Sequence, residues 1–154
     1  MRTLTTSIGI AVAVALAAGT ATAQDWTLSP TYGTANLSAG FLPDPYVARV
    51  TSSGSIDAGS SLGFPCVGMV AQAPDFRLNY SAGGFPLQFQ VSSGSDTTLV
   101  INAPDANWYC NDDTFGLDPA VTFNAPMSGQ YDIWVGSYQG DFAPADLLIT
   151  EIPD

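Results

Sequence analysis

The sequence predicts an all-β fold: an antiparallel two-sheet β-sandwich of jelly-roll or immunoglobulin-like type, stapled by one disulfide. Three observations predict it. Apolar and polar residues alternate through most of the chain, where a helix would bring apolar residues back every three or four positions. Gly, Pro, Asn and Asp punctuate the alternating runs at short intervals. No helical stretch of useful length follows residue 23, and nine or ten short strands are expected.

The chain has 154 residues. It opens with Met1 and Arg2, an apolar run from Ile8 to Ala18 and the small-x-small triplet Ala21-Thr22-Ala23. That pattern is a secretory signal peptide, residues 1–23, cleaved after Ala23. The apolar run is near half the roughly 20 residues that a membrane span requires. Residues 24–154 then form one domain without membrane insertion, periplasmic or extracellular in location.

Residues 24–45 read as an extended lead-in with isolated apolar anchors at Trp26, Leu28, Leu37, Phe41 and Leu42 and one short strand near Thr34 to Leu37. Pro43 and Pro45 force a turn. Tyr46 to Thr51 alternates, with Tyr46, Ala48 and Val50 on one face. Ser52 to Pro65 is a Ser/Gly-rich loop, and Cys66 to Ala71 a short buried strand. Phe76, Leu78 and Tyr80 alternate with polar residues, as do Leu87, Phe89 and Val91, and Ser81-Ala82-Gly83-Gly84 between them predicts a hairpin. Thr97 to Asn102 is rich in the β-branched residues that strands prefer. Asn107 to Asn111, the segment around Val121 and Phe123, Gln130 to Ser137 and Asp146 to Ile152 complete the set.

Charge excludes several functions. The chain holds three Lys or Arg residues, 14 Asp or Glu and no His, a net charge of −11. Arg2 falls in the export segment, leaving Arg49 and Arg77 as the cations of the domain. A nucleic-acid partner is excluded, because phosphates must be met by Lys or Arg. Without His or Lys there is no Ser-His-Asp triad, Ser-Lys dyad or His-based zinc site, so the chain is not a peptidase of those types. Two cysteines in an exported chain pair most simply with each other. A Cys66–Cys110 bridge closes a loop of about 45 residues, worth about 4 kcal/mol in the chain-entropy account, with Trp108 packed beside it.

Two groups of residues are candidates for a site. Asp96, Asp105, Asp112, Asp113 and Asp118, with Asn107 and Asn111, fall at strand ends and in loops. Calcium takes six to eight oxygens from such groups, and Asp96, Asp112, Asp113, Asp118 and Asn111 are the expected ligands. The same residue types also cap turns by bonding their own backbone. Secondly, alternation turns Trp134 and Tyr109 away from the face that carries Ile133 and Trp108, so that with Tyr138 they could stack a sugar ring or grip a partner, unless they face the second sheet or sit under a loop of the 24–45 lead-in, which is the favoured reading. A carboxylate pair for glycan hydrolysis needs two acids in one cleft, and Asp112 and Asp113 face opposite ways on a strand. Asn36-Leu37-Ser38 and Asn79-Tyr80-Ser81 match the N-glycosylation acceptor.

Ser95-Asp96-Thr97-Thr98-Leu99-Val100-Ile101, the interval containing Cys110-Asn111-Asp112-Asp113, and Ser128-Gly129-Gln130-Tyr131-Asp132-Ile133-Trp134-Val135-Gly136-Ser137-Tyr138 resemble the bacterial pre-peptidase C-terminal domain. The similarity spans residues 76–151. It implies a small jelly-roll-like sandwich of the kind appended to secreted proteases, non-catalytic, aiding secretion or substrate binding, with calcium bound in some relatives. The expectation is therefore an exported, non-catalytic binding or structural module with calcium as its cofactor and a secreted protein or a glycan as its partner. The alternatives are a glycan-binding module built on Trp134 and Tyr109, and a carboxylate-dependent glycan hydrolase.

Overall fold

The structure is a computed structural model and describes residues 23–153. The expected export segment lies outside the described residues except for Ala23. The strands are β1 (Thr34–Ser38), β2 (Tyr46–Ser52), β3 (Ile56–Asp57), β4 (Met69–Val70), β5 (Phe76–Ser81), β6 (Leu87–Ser93), β7 (Thr97–Asn102), β8 (Trp108–Asn111), β9 (Ala120–Phe123), β10 (Gly129–Ser137) and β11 (Ala143–Thr150). A five-residue helix, α1 (Ala58–Leu62), follows β3.

The strands form a seven-stranded and a four-stranded sheet, the latter in the order β2-β11-β6-β9. The larger sheet is built on β10. One edge of β10 pairs with β7, which passes the pairing to β8; the other pairs with β5 near its start and with β4 at Ser137, and β1 lies outside β5. The alternation expected for β2, β5 and β6 places Val50, Leu78 and Phe89 between the sheets, with Leu99, Ile101, Ile133, Leu147 and Ile149. That apolar layer is the main source of stability.

Four expectations are corrected. The run after Phe76 and the run after Leu87 are not a hairpin: β5 belongs to the larger sheet and β6 to the smaller. Residues 82–86 carry the chain across the sandwich, a step that side-chain alternation does not encode. The sheets are not wholly antiparallel either, since β1 runs parallel to β5, from Thr34 opposite Arg77 to Ser38 opposite Ser81. The long path through β2, β3, α1 and β4 permits this, as a parallel pair needs a long connection. The expected buried strand over residues 66–71 is reduced to Met69–Val70, because Gly68 takes a φ of 85° that breaks the extended run before it.

The fourth correction concerns residues 52–65, which read as a plain loop. They contain β3 and α1, whose first turn is capped by Asp57 Oδ1 accepting from Gly59 N at 2.9 Å. Together with residues 66–71 they fold over the outer face of the larger sheet. There Ala58, Cys66, Val70, Val100 and Trp134 make a second, smaller core, with Leu62, Ala71, Trp108 and Cys110 packed against it. Gly136 makes the close approach possible: a Cβ on it would stand 2.5 Å from the Met69 carbonyl oxygen. The outer face is thus covered over the C-terminal half of β10, while Asn36, Asn79 and Gln130, in the row nearest its start, reach the surface.

Candidate functional site

The predicted ligand residues divide between the two ends of the sandwich. Asp105 and Asn107 sit in the β7–β8 turn. There Asp105 Oδ1 accepts from Asn107 N at 3.0 Å and Oδ2 from Asn107 Nδ2 at 2.9 Å and Tyr109 Oη at 2.7 Å. These bonds, that from Tyr109 foremost, hold the Asp105 carboxyl below its ordinary range. Asp96, Asn111, Asp112, Asp113 and Asp118 lie at the other end, because β7 and β8 are antiparallel.

At that end three loops converge: the β6–β7 turn, the β8–β9 loop over residues 112–119, and the β10–β11 loop over residues 138–142. They are tied by backbone bonds from Tyr138 N to Asp96 O at 3.2 Å and from Thr97 N to Leu117 O at 3.4 Å. The β8–β9 loop is shaped by the amide and carboxylate that the sequence offered as ligands. Asn111 Oδ1 accepts from Thr114 Oγ1 at 2.7 Å and Ala120 N at 3.0 Å, and Asp118 Oδ1 accepts from Ser93 N at 3.0 Å. Burial pushes the Asp96 carboxyl above its ordinary range, and the charges of Asp113 and Asp112 push it the same way. Among the described residues no three His, Cys, Asp or Glu side chains are grouped to hold a metal ion. Asn111 Oδ1 and Asp118 Oδ1 are thus engaged by the loop itself, while calcium would draw on six to eight oxygens.

What the loops do present is apolar. Phe115 is 40%, Leu117 57%, Tyr138 47% and Phe142 76% exposed, with Asp96, Asp112, Asp113 and Asp141 among them. Sequence reasoning found the acids but not their apolar neighbours, since exposed Phe and Leu in a loop carry no periodic signal.

The expected aromatic face does not form. Trp134 is completely buried in the second core, its ring 5.2 Å from that of Trp108 and its Nε1 donating to Gln72 O at 3.4 Å. Cross-strand register pairs Trp134 with Val100 and Val100 with Cys110, so Trp134 shares the face of the disulfide. Tyr109 lies on the opposite face: it pairs with Ile101, which pairs with Ile133, and its ring packs 4.9 Å from Phe123 against the main core. The Cys66–Cys110 bridge and the packing of Trp108 beside it are present as expected.

Asp44 and Glu151 meet at the end where β11 finishes, through the Glu151 backbone. Asp44 Oδ2 accepts from Glu151 N at 3.1 Å, while Glu151 accepts from Tyr80 Oη at 2.5 Å and from Gly40 N at 2.7 Å. Glu151 is buried and both its oxygens hold the fold together. Each of four grooves on the described surface is lined by at most one carboxylate, so none of them offers the acid pair of a glycosidase.

The two glycosylation acceptors are neighbours on β1 and β5, where Asn79 Nδ2 donates to Asn36 Oδ1 at 2.9 Å on the exposed outer face.

No protein-family profile matches the chain, and no curated protein matches it. Among solved structures it is similar to the pre-peptidase C-terminal domain of a collagenase from Bacillus anthracis, at a TM-score of 0.48 and 14% identity over 80% of this chain and 99% of that one. It is also similar to PliG of Aeromonas hydrophila, a periplasmic inhibitor of g-type lysozyme, at a TM-score of 0.38 and 17% identity over 77% of this chain and 96% of that one.

Proposed function

We propose that this β-sandwich is an exported, non-catalytic recognition module whose three-loop end docks a protein with a basic surface. The observation that carries the reading is the convergence of Phe115, Leu117 and Tyr138, all exposed, with Asp96, Asp112 and Asp113 on loops fixed by the Tyr138–Asp96 and Thr97–Leu117 bonds. Apolar anchors rimmed by charge of one sign are the composition of a docking patch. The acids select partners of opposite charge and speed their encounter, and the chain's net charge of −11 acts in the same direction. The disulfide and the cleavable leader read from the sequence suit the periplasm or the extracellular space.

The test is immobilisation of the full mature chain and titration with a panel of purified secreted proteins, basic and acidic, at several salt concentrations. Basic members are expected to bind, more weakly as salt rises, and Leu117→Ser is expected to weaken binding roughly tenfold or more. Added chelator is expected to leave the affinity unchanged. Binding by acidic members alone, by none, or by a surface indifferent to Leu117 would overturn the reading.

A further inference from the structure

The outer face of the larger sheet carries a second surface near the start of β10. Reading across β1, β5, β10 and β7, one outward row runs Thr34, Arg77, Asp132, Asn102, and the next runs Asn36, Asn79, Gln130. Over these rows lie two adjoining grooves of about 360 and about 310 Å³, which share Gly129 and Gln130. Trp26, 50% exposed, stands on the wall of the larger one.

The wall is built. Arg77 Nε donates to Asp132 Oδ1 at 2.6 Å, and Arg77 Nη2 donates to the carbonyls of Trp26 and Leu28 at 2.6 and 3.0 Å. The Trp26 segment is also closed on itself: Thr27 N donates to Asp25 Oδ1 at 2.9 Å and Asp25 N to Gln72 O at 2.8 Å. A large aromatic left half in water is thereby held by backbone bonds at a fixed place beside a polar floor, at little ordering cost to a ligand that stacks on it.

The floor sets the ligand class. Its accessible polar groups are uncharged, the amides of Asn36, Asn79 and Gln130 with the hydroxyls of Ser38, Ser81 and Ser128. Asn36 keeps both Nδ2 hydrogens, since its Oδ1 alone is engaged by Asn79. Gln130 Nε2 gives one hydrogen to Asp132 Oδ2 at 2.6 Å, and the residue lines both grooves with its Oε1 unengaged by the protein. Asn102 has only a long contact, from Nδ2 to Asn107 O at 3.5 Å. The single cation here, Arg77, has its charge balanced by Asp132 at 2.6 Å and lines neither groove, so no unpaired positive charge favours a phosphate or a uronate. Amides that donate and accept side by side match vicinal hydroxyls, and an aromatic ring matches the apolar face of a pyranose.

We infer that this outer face binds a neutral oligosaccharide, with Trp26 as the stacking platform and Asn36, Asn79, Gln130 and Asn102 as the amides that bond its hydroxyls. Two grooves meeting at Gly129 and Gln130 accommodate more than one sugar ring. The site lies at the end of β10 away from the three loops and does not depend on the protein-docking reading.

The test is calorimetric titration of the full mature chain with cellotriose, maltotriose and triacetylchitotriose, with a trigalacturonate and an unstructured neutral peptide as comparators. At least one neutral trisaccharide is expected to bind, and Trp26→Ala and Asn79→Ala are each expected to weaken it roughly tenfold or more. Leu117→Ser is expected to leave this binding unchanged. Near-ultraviolet circular dichroism and an unchanged unfolding midpoint establish that the Trp26→Ala chain is folded. The inference is overturned if no neutral trisaccharide binds the wild-type chain, if the trigalacturonate or the peptide binds more tightly, or if folded Trp26→Ala binds as well as wild type.

Discussion

Arg77 and Asp132 face each other across β5 and β10, with Nε 2.6 Å from Oδ1, and Asp132 is 1% exposed. Removing one member of such a pair leaves the other buried without a counter-charge, which costs more than the pair contributes. Arg77→Leu is expected to lower unfolding free energy in urea by about 3 to 5 kcal/mol. The double variant Arg77→Leu, Asp132→Leu is expected to recover most of the loss, while both variants lose the anchor of the Trp26 segment and become open to proteolysis there.

Trp134→Ala opens a cavity in the second core and is expected to cost about 3 to 5 kcal/mol. Trp26→Ala is expected to change stability by no more than about 0.5 kcal/mol, because its side chain stands half in water. Acrylamide quenching separates them further: the fluorescence accessible to quencher is expected to fall on replacing Trp26 and not on replacing Trp134.

Replacing both Cys66 and Cys110 by Ala is expected to cost about 4 kcal/mol from the entropy of the opened loop. Thermal melts of the double variant against wild type check it. The loss is expected to be accompanied by a red shift of tryptophan emission, since Trp134 and Trp108 pack beside the bridge.

Asp75 is buried, and burial pushes its carboxyl up to about 7, against the hydrogen bond it accepts from Val135 N at 2.7 Å. The folded chain therefore keeps a proton that the unfolded chain has released above about 4. Between about pH 4 and pH 7 the folded state binds more protons, so the contribution of Asp75 to stability is greatest below this window and is lost as pH rises through it. Asp75→Asn preserves the acceptor for Val135 N and is expected to flatten that dependence, leaving the variant more stable than wild type by up to roughly 4 kcal/mol near pH 8. Urea unfolding at a series of pH values checks the slope.

Alternation made the faces of β2, β5 and β6 legible, because a strand with one side against a core must place Leu78 or Phe89 on the same side as its second neighbours. It could not say that β5 and β6 lie in different sheets, since a period of two fixes a side chain's face and not its strand's partner. Trp134 was misread for a related reason. Its own strand gives two faces, and only the register through Val100 to Cys110 shows which one the disulfide covers. Residues 52–65 concealed their role because Ala58 and Leu62 are too few to give a helical pattern. Trp26 was invisible as a site residue, standing alone in a polar lead-in. The available signal was Arg77, an outward-facing cation on a strand in a chain with 14 carboxylates, which calls for a fixed partner.

The amide-lined groove and the acidic loops are joined by one strand. Gln130 stands near the start of β10 and Tyr138 just past its end, roughly 25 Å apart at the rise of an extended chain. A polymer lying along the sheet leaves the loop tips clear, and a protein seated on the tips leaves the sheet clear. The two proposed surfaces are therefore independent by position, and occupying one is expected to leave the affinity of the other unchanged.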